Sequence, residues 1–287
     1  MRLSVVILTY NGARWLTRIV ASLVEQALRN GVELLAVDSG STDGTVEILR
    51  NNGFRVFSIP RNKFEFGRVR DYAFSLSSGD IIVTQSQDVI PMDQTYLQAL
   101  SAPIIDGEAD VVQGITISST EIENSFIWHA DRTIFYFTSE GKCFFEKNGG
   151  IGLSSECMAI SRKAWESTGF GQAPYCEDKL IQGKLHSLGY RIVATKHPIA
   201  WHNHNYDLFG VVIRCLNEGC GWRYAGVSYF FLSCLYDLSV GFWRHRKLWW
   251  KMVRSGTGRS VASIGFFQIR PIALYIGNRL LSRIVLR

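Results

Sequence analysis

The sequence predicts an α/β fold in which a mostly parallel central sheet is flanked by helices. Short apolar runs alternate with segments of helical period along the first two thirds of the chain. The clearest run, residues 81–83, is continuously apolar and lies between Gly79 and Pro91, as in a strand buried on both faces. Polar residues follow several of these runs, where sheets of this class bind their ligands.

The first 60 residues contain three strand patterns separated by two helical ones. Residues 3–8, 33–37 and 55–59 are apolar runs that end in turn-forming residues. Helical spacing of apolar residues begins at Leu16, and again at Val46. This alternation favours parallel strands joined by right-handed crossovers.

The next elements continue the pattern with one irregular interruption. Arg68 and Arg70 begin a helix that leads into the strand at 81–84, and a helix at 97–105 precedes a strand at 109–117. Residues 118–150 are irregular and rich in aromatics, which is typical of a functional loop. A strand at 157–162, a helix at 179–188 and a strand at 191–195 follow.

The composition changes after residue 207, where Trp and Phe residues crowd among Arg and Lys. We therefore predict two domains, an α/β domain over 1–207 and a helical aromatic and basic extension over 208–287. The apolar run 227–242 is shorter than the ~20 residues of a membrane-spanning helix. Interleaved basic and aromatic residues favour a helix lying on an anionic bilayer, and the alternative is a helical subdomain packed on the core or on a second subunit.

Composition excludes some classes of protein. The 287 residues are 20% charged and 47% hydrophobic, as in a globular protein, and the net charge of +6 suits nucleic acid, nucleotide phosphates or anionic lipid. We do not expect nucleic acid, because the aromatics form one C-terminal block without a sheet platform. Six cysteines without a C-x-x-C pair do not indicate zinc. The N-terminus does not resemble a signal peptide, so we expect a cytoplasmic protein.

Polar clusters at the predicted strand ends indicate one site. Four of them follow strands and a fifth begins a helix: Tyr10-Asn11, Asp38-Ser39, Gln87-Asp88, Trp201-His202-Asn203-His204 and Glu177-Asp178. Each has a structural alternative, since Asp88 suits the turn before Pro91 and two acids at a helix start are ordinary capping. The shared position of the first four at strand ends, together with the fifth cluster, favours a site.

Five motifs in this order resemble the family 2 glycosyltransferases of the GT-A fold over about residues 3–207. They are SVVILTYNG, VDSGSTDGT, GRVRDYAF, TQSQDVIP and CEDKLIQGKL. VDSGSTDGT, the Gln-Asp-x-x-Pro form and a His-x-His-x-Tyr motif are most similar to the rhamnosyltransferase-like branch.

The resemblance implies a nucleotide diphosphate sugar donor, with dTDP or UDP, and a saccharide or glycolipid acceptor on the inner membrane face. It implies donor contacts from Tyr10, Asn11, Asp38, Ser39, Arg70 and Gln87. Asp88 would bind Mg²⁺ or Mn²⁺, with His202 favoured over His204 as a second ligand. A divalent cation offsets the charge of the leaving diphosphate, and imidazole suits Mn²⁺.

By the same resemblance Asp178 is the general base that takes a proton from the acceptor hydroxyl, and Glu177 orients it or the acceptor. Attack from the face opposite the leaving group inverts the anomeric carbon. Three positions depart from the family: Ser39 and Ser86 stand where relatives carry acids, and Phe66 replaces a His. These departures keep open a catalytically degenerate binding domain, and a nucleotidyltransferase is a third interpretation.

Overall fold

The computed structural model describes residues 1–118, 138–202, 206–255 and 261–282. The chain divides into two compact units. The first comprises Met1–Thr116 and Leu153–His202, and the second comprises the described residues within Ile117–Gly152 and Asn203–Arg287. The predicted boundary at 207/208 differs from this division, which groups the described residues of 117–152, and also Tyr206 and Asp207, with the C-terminal helices. The assignment of a catalytic domain to 1–207 and an extension to 208–287 stays a prediction.

A single eight-stranded sheet forms the middle of the first unit. Its parallel part consists of β1 (Leu3–Thr9), β2 (Glu33–Asp38), β3 (Arg55–Ser58) and β4 (Ile81–Ser86), in the spatial order β3-β2-β1-β4. The central strands are buried on both faces, which is why they read as continuous apolar runs.

The rest of the sheet comprises β5 (Val89–Pro91), β6 (Val111–Ile117), β7 (Cys157–Ser161) and β8 (Ile192–His202) in the order β7-β6-β8-β5. β7 is antiparallel to β4 and β6, and β5 is antiparallel to β8. The predicted α/β class is confirmed, but β7 and β5 run antiparallel to the strands with which they pair, so the sheet is mixed. β8 continues to His202, well beyond the strand predicted at 191–195.

Most helices follow the predicted alternation, but the helix at Ser139–Lys147, inside the segment predicted to be irregular, and the helix at Arg162–Thr168 were not predicted. In chain order the described ones are α1 (Ala13–Asn30), α2 (Thr45–Asn51), α3 (Phe66–Ser75), α4 (Tyr96–Ile105), α5 (Ser139–Lys147), α6 (Arg162–Thr168), α7 (Glu177–Ser187), α8 (Leu208–Tyr224), α9 (Phe231–Tyr236), α10 (Phe242–Ser255) and α11 (Val261–Ile276). A buried apolar cluster that includes Val6, Phe74, Ile160 and Leu185 joins strands to α3 and α7. This core fixes the sheet edge on which the candidate site residues lie.

The second unit is helical. α8 and α11 approach so closely that a Cβ on Gly219 would lie 2.4 Å from the Leu274 carbonyl oxygen. A Cβ on Gly277, directly after α11, would lie 2.1 Å from the Leu216 carbonyl oxygen. The fully buried Arg270 pairs with Glu218 between the same helices. No helix in the described ranges combines the length and the apolarity needed to cross a bilayer.

Candidate active site

The sheet register brings three of the predicted clusters to one edge. Thr9 is paired with Asp38, and Leu8 with Ser86, so the loops after β1, β2 and β4 leave the sheet side by side. Because the carboxyl ends of parallel strands share an edge, residues far apart in sequence meet here.

The Asp38 carboxylate holds the turn after β2. Its Oδ2 accepts hydrogen bonds from the backbone N–H groups of Gly40 and Ser41 at 3.0 and 2.9 Å, and its Oδ1 accepts from the hydroxyls of Thr9, at 3.1 Å, and Ser41. Ser39 donates its hydroxyl to the Thr9 carbonyl oxygen at 3.1 Å. Asp38 and Ser39 are buried, and their hydrogen bonds fix the shape of the loop after β2.

The loop after β1 has a defined geometry. Asn11 has a positive φ of 46°, which is uncommon outside glycine. Its backbone N–H donates to the Ser41 hydroxyl at 2.8 Å, and its Oδ1 accepts from the Thr42 N–H at 2.9 Å. These hydrogen bonds of Asn11 thus join the loop after β1 to the loop after β2.

Gln87 contacts the same loop. Its side-chain amide accepts a hydrogen bond from the Tyr10 N–H at 2.9 Å and donates one to the Tyr10 carbonyl oxygen at 3.0 Å. A Cβ on Gly12 would lie 2.4 Å from Gln87 Oε1. Gln87 therefore fixes the position of Tyr10 through its backbone, and a direct contact of Gln87 with the donor stays a prediction.

Arg61, which the sequence analysis missed, stacks on Tyr10. Its guanidinium carbon lies 3.9 Å from the centroid of the Tyr10 ring, and its Nη1 donates to the Ser39 hydroxyl at 3.3 Å. Tyr10 is 40% exposed, so a planar cation and a flat ring border open space at this edge. The sequence offered one signal for Arg61, its position, because Arg61 follows Pro60 just beyond the end of β3.

Asp88 and His202 lie close together where β5 pairs with β8. The antiparallel pairing of β5 with β8 places Val89 opposite His202, so that the His202 Nε2 lies 3.3 Å from the Asp88 Oδ1. Glu156 contacts the other side of the ring, with its Oε2 3.2 Å from Nδ1. Burial alone would lower the pKa of His202, but the carboxylates of Asp88 and Glu156 raise that pKa to about 10. His204 lies outside the described residues.

The Asp88 and His202 pair fits a divalent cation as two of its ligands. Two neighbouring ligands at about 2.1 Å from an octahedral ion are about 3 Å apart, close to the observed 3.3 Å. Among the described residues no group of three His, Cys, Asp or Glu side chains is arranged to hold a metal by itself. Mg²⁺ usually takes one or two carboxylates and completes its shell with phosphate oxygens and water.

Glu177 and Asp178 begin α7 but lie in different environments. Glu177 is 5% exposed, and its Oε1 accepts from Arg70 Nη2 at 3.1 Å and from the Ser155 hydroxyl at 2.6 Å. Asp178 is partly exposed, and its Oδ2 lies 3.4 Å from the Lys179 ammonium. Asp178 is the more exposed carboxylate of the two, with its side chain 16% exposed against 7% for that of Glu177.

Arg70 is buried and also bonds to the Thr84 hydroxyl through Nη1 at 2.6 Å. Its described contacts join α3 to β4 and α7, and its predicted contact with the nucleotide stays a prediction.

The loop that leads into α7 is held on α3. Asp71 accepts hydrogen bonds from the Trp165 indole N–H at 2.8 Å and from the backbone N–H groups of Phe170 and Gly171 at 2.9 and 2.8 Å. A Cβ on Gly67 would lie 2.2 Å from the Gly171 carbonyl oxygen, so only glycine allows this approach. Asp71 lies inside the GRVRDYAF motif, but its partners come from about 100 residues away, which no local pattern shows.

Solved structures with a similar fold are GT-A glycosyltransferases. The mannosyltransferase PcManGT from Pyrobaculum calidifontis, in complex with GDP-Man and Mn²⁺, superposes with a TM-score of 0.62 at 15% identity, covering 97% of this chain and 87% of its own. Glucosyl-3-phosphoglycerate synthase from Mycobacterium tuberculosis, with Mn²⁺, UDP-Glc and phosphoglyceric acid, gives 0.59 at 21% identity, covering 79% and 80%. At these identities the likeness shows the fold alone, which is the predicted GT-A fold.

Residues 4–169 match the model of glycosyl transferase family 2, so the chain belongs to this family of enzymes. The O-antigen chain rhamnosyltransferase RfbN of Salmonella typhimurium is 25% identical over 216 residues, 72% of this chain and 68% of its own. Glycosyltransferase GlyG of Streptococcus pneumoniae is 27% identical over 150 residues, and the match spans 50% of this chain and about half (46%) of GlyG. The predicted family and its rhamnosyltransferase-like character are confirmed.

Proposed function

We propose that this glycosyltransferase moves a hexosyl or deoxyhexosyl group from a nucleoside diphosphate sugar to a saccharide or lipid-linked saccharide, with inversion and with a divalent metal. One observation carries the proposal: in the first unit the Asp88 and His202 pair is linked through Glu156 and Ser155 to Glu177, next to Asp178. Such a transfer needs a site for the metal and a carboxylate for the acceptor proton, and this network contains a candidate for each: the Asp88 and His202 pair, and Asp178.

The stack of Arg61 on Tyr10 supports a nucleotide at the edge beside Ser39. A planar base can extend the stack, and the guanidinium adds a positive charge near the diphosphate. Asp38, Ser39, Asn11 and Gln87 hold the surrounding loops, and we assign Arg70 an indirect part through Glu177. Similar structures hold GDP-Man or UDP-Glc, and we favour dTDP or UDP on the family resemblance.

Asp88 and the His202 Nε2 would hold Mn²⁺ or Mg²⁺. The ion would offset the negative charge that develops on the leaving nucleoside diphosphate. His204 stays a second candidate from the sequence. A nitrogen donor beside one carboxylate favours Mn²⁺ over Mg²⁺.

Asp178 would take the proton from the attacking acceptor hydroxyl. The attacking oxygen then forms a bond to the anomeric carbon while the bond to the diphosphate oxygen breaks, and attack from the opposite face inverts that carbon. Glu177, fixed by Arg70 and Ser155, would hold the start of α7 so that Asp178 faces the acceptor.

Rhamnose is the sugar that the similarity to RfbN supports. The acceptor in our proposal is a polysaccharide or lipid-linked saccharide, reached by a protein attached to the inner face of the cell membrane.

The surface of the second unit supports this attachment. Phe231, Leu232 and Trp243 are 56%, 77% and 64% exposed, and the Arg246 guanidinium carbon lies 4.0 Å from the Trp243 ring centroid. Residues 238–287 contain ten Lys and Arg and no Asp or Glu. Aromatic and basic side chains together suit the headgroup region of an anionic membrane.

A thermal shift experiment tests the enzyme proposal. The full chain is melted with dTDP, UDP or GDP, each with Mn²⁺ and with EDTA. A nucleotide at ~100 times its dissociation constant stabilises the fold by about 2.7 kcal/mol. A metal-dependent shift with dTDP supports a deoxyhexosyl donor. A metal-dependent shift with UDP or GDP keeps the enzyme proposal but assigns a different donor nucleotide. No shift with any of them, in a cooperatively melting sample, would favour a degenerate domain.

Flotation with vesicles tests the membrane proposal. We expect the full chain to float with phosphatidylglycerol vesicles and not with phosphatidylcholine alone. Phe231→Ser with Leu232→Ser should weaken flotation, whereas Leu28→Ser, at an 81% exposed residue of the first unit, should not. Absence of wild-type flotation, or equal flotation by the double variant, would contradict the proposal.

A further inference from the structure

Glu156 contacts the candidate metal pair from the side away from Asp88. Its Oε2 is 3.2 Å from Nδ1 of His202, while Asp88 Oδ1 is 3.3 Å from Nε2 of the same ring. The imidazole is 3% exposed and lies between two carboxylates on opposite nitrogens. Only one of these nitrogens can face an ion that Asp88 also binds.

Glu156 is itself held firmly. Its Oε1 accepts from the Thr116 hydroxyl at 3.1 Å, and its backbone carbonyl oxygen accepts from the Ser86 N–H at 2.8 Å, two residues before Asp88. The buried Gln113 side chain accepts from the Ser154 N–H at 2.5 Å and donates to the Cys157 carbonyl oxygen at 2.8 Å. Gln113 thus bonds to the residues on both sides of the turn that carries Ser155 and Glu156.

We propose that Glu156 is a positioning residue for metal binding, which orients His202 so that Nε2, beside Asp88, is the ligand atom. A carboxylate on the far nitrogen of a ligating histidine fixes the tautomer and ring orientation and raises the basicity of the ligand nitrogen. The inference rests on the proposed metal-dependent function and adds a residue outside the five motifs.

The same turn also contacts the helix that carries the proposed base. The Ser155 hydroxyl donates to Glu177 Oε1 at 2.6 Å, and Asp178 follows Glu177. Ser155 and Glu156 therefore connect α7 and the metal pair through adjacent residues. Their contacts are separate, so substitutions of the two residues have separable effects.

The experiment is a titration of the full chain with Mn²⁺ alone, in which the free ion is followed by electron paramagnetic resonance. Loss of the carboxylate that contacts the far nitrogen of a metal-ligating histidine typically weakens metal affinity about 10–100-fold. We expect a change of this size for Glu156→Gln. Ser155→Ala should leave Mn²⁺ affinity unchanged, as should Glu166→Gln, which removes a carboxylate that is 60% exposed. The His202→Ala variant gives the Mn²⁺ affinity that is left when the proposed imidazole ligand is removed.

A second variant covers the case in which Glu156→Gln does not fold. Thr116→Val leaves the carboxylate in place but removes its hydrogen bond, and should raise the Mn²⁺ dissociation constant about two- to tenfold. If folded Glu156→Gln or Thr116→Val binds Mn²⁺ with wild-type affinity while His202→Ala binds it more weakly, the proposed role of Glu156 is overturned. The proposed metal site is then kept. No Mn²⁺ binding by the wild-type chain would overturn the metal proposal and this one with it.

Discussion

Arg70 on α3 and Glu177 on α7 form a buried ion pair, with Arg70 Nη2 3.1 Å from Glu177 Oε1 and both side chains less than a tenth exposed. The pair joins residues 107 positions apart in the chain. It sets the start of α7, and so it determines where the neighbouring Asp178 lies.

Removal of one partner should be costly. Glu177→Ala leaves the Arg70 charge buried, and we expect a loss of about 3–5 kcal/mol in the free energy of unfolding, measured in urea. Arg70→Met combined with Glu177→Leu should recover much of this loss, because no unpaired charge remains. A double variant as unstable as Glu177→Ala would show that the shape of the site, and not the charge, is responsible.

Asp178→Asn should separate chemistry from binding. Without a base the transfer rate should fall about 10²–10⁴-fold. The nucleotide- and Mn²⁺-dependent rise in melting temperature should stay at the wild-type value, because Asp178 is not among the proposed donor or metal contacts. Equal loss of transfer and of the thermal shift would contradict its assignment as base.

Two glycines in helical segments should respond in opposite directions. Gly277→Ala places a methyl group 2.1 Å from the Leu216 carbonyl oxygen and should destabilise the protein by about 1–3 kcal/mol. Gly183→Ala on α7 meets no atom within 4 Å and should stabilise it by up to about 1 kcal/mol. Urea melts of both variants provide the test, and an equal effect of the two would refute the close approach of α8 and α11.

Glu33 should contribute an acid-sensitive part of the stability. Burial alone would raise the pKa of Glu33, but hydrogen bonds from Ser4, Ser78 and Arg55 outweigh it and hold the pKa below its ordinary value of 4.5. A lowered pKa gives stability that is present above 4.5 and is lost as the pH falls through the folded-state pKa. Glu33→Gln should therefore be less stable than wild type at neutral pH, and this difference should shrink in acid. A difference independent of pH would contradict the linkage.

The sequence by itself determined the α/β class and the first four strands, because continuous apolar runs and polar strand ends are local patterns. The family followed from the resemblance of the five motifs. Asp88, Glu177 and Asp178 could be selected in the same way. His202 could be proposed as a ligand, but its strand could only be predicted in part.

Only the tertiary structure decided which of these residues act together. The antiparallel pairing of β5 with β8 brings His202 to Asp88, and the reversed direction of β7 brings Glu156 to the same edge as the end of β4. Asp71 and Arg61 likewise have partners that are distant in the sequence and that only the folded chain brings to them. Local periodicity predicts strands and helices, whereas strand order and direction depend on how the whole core packs, so the composition of the site followed from the fold.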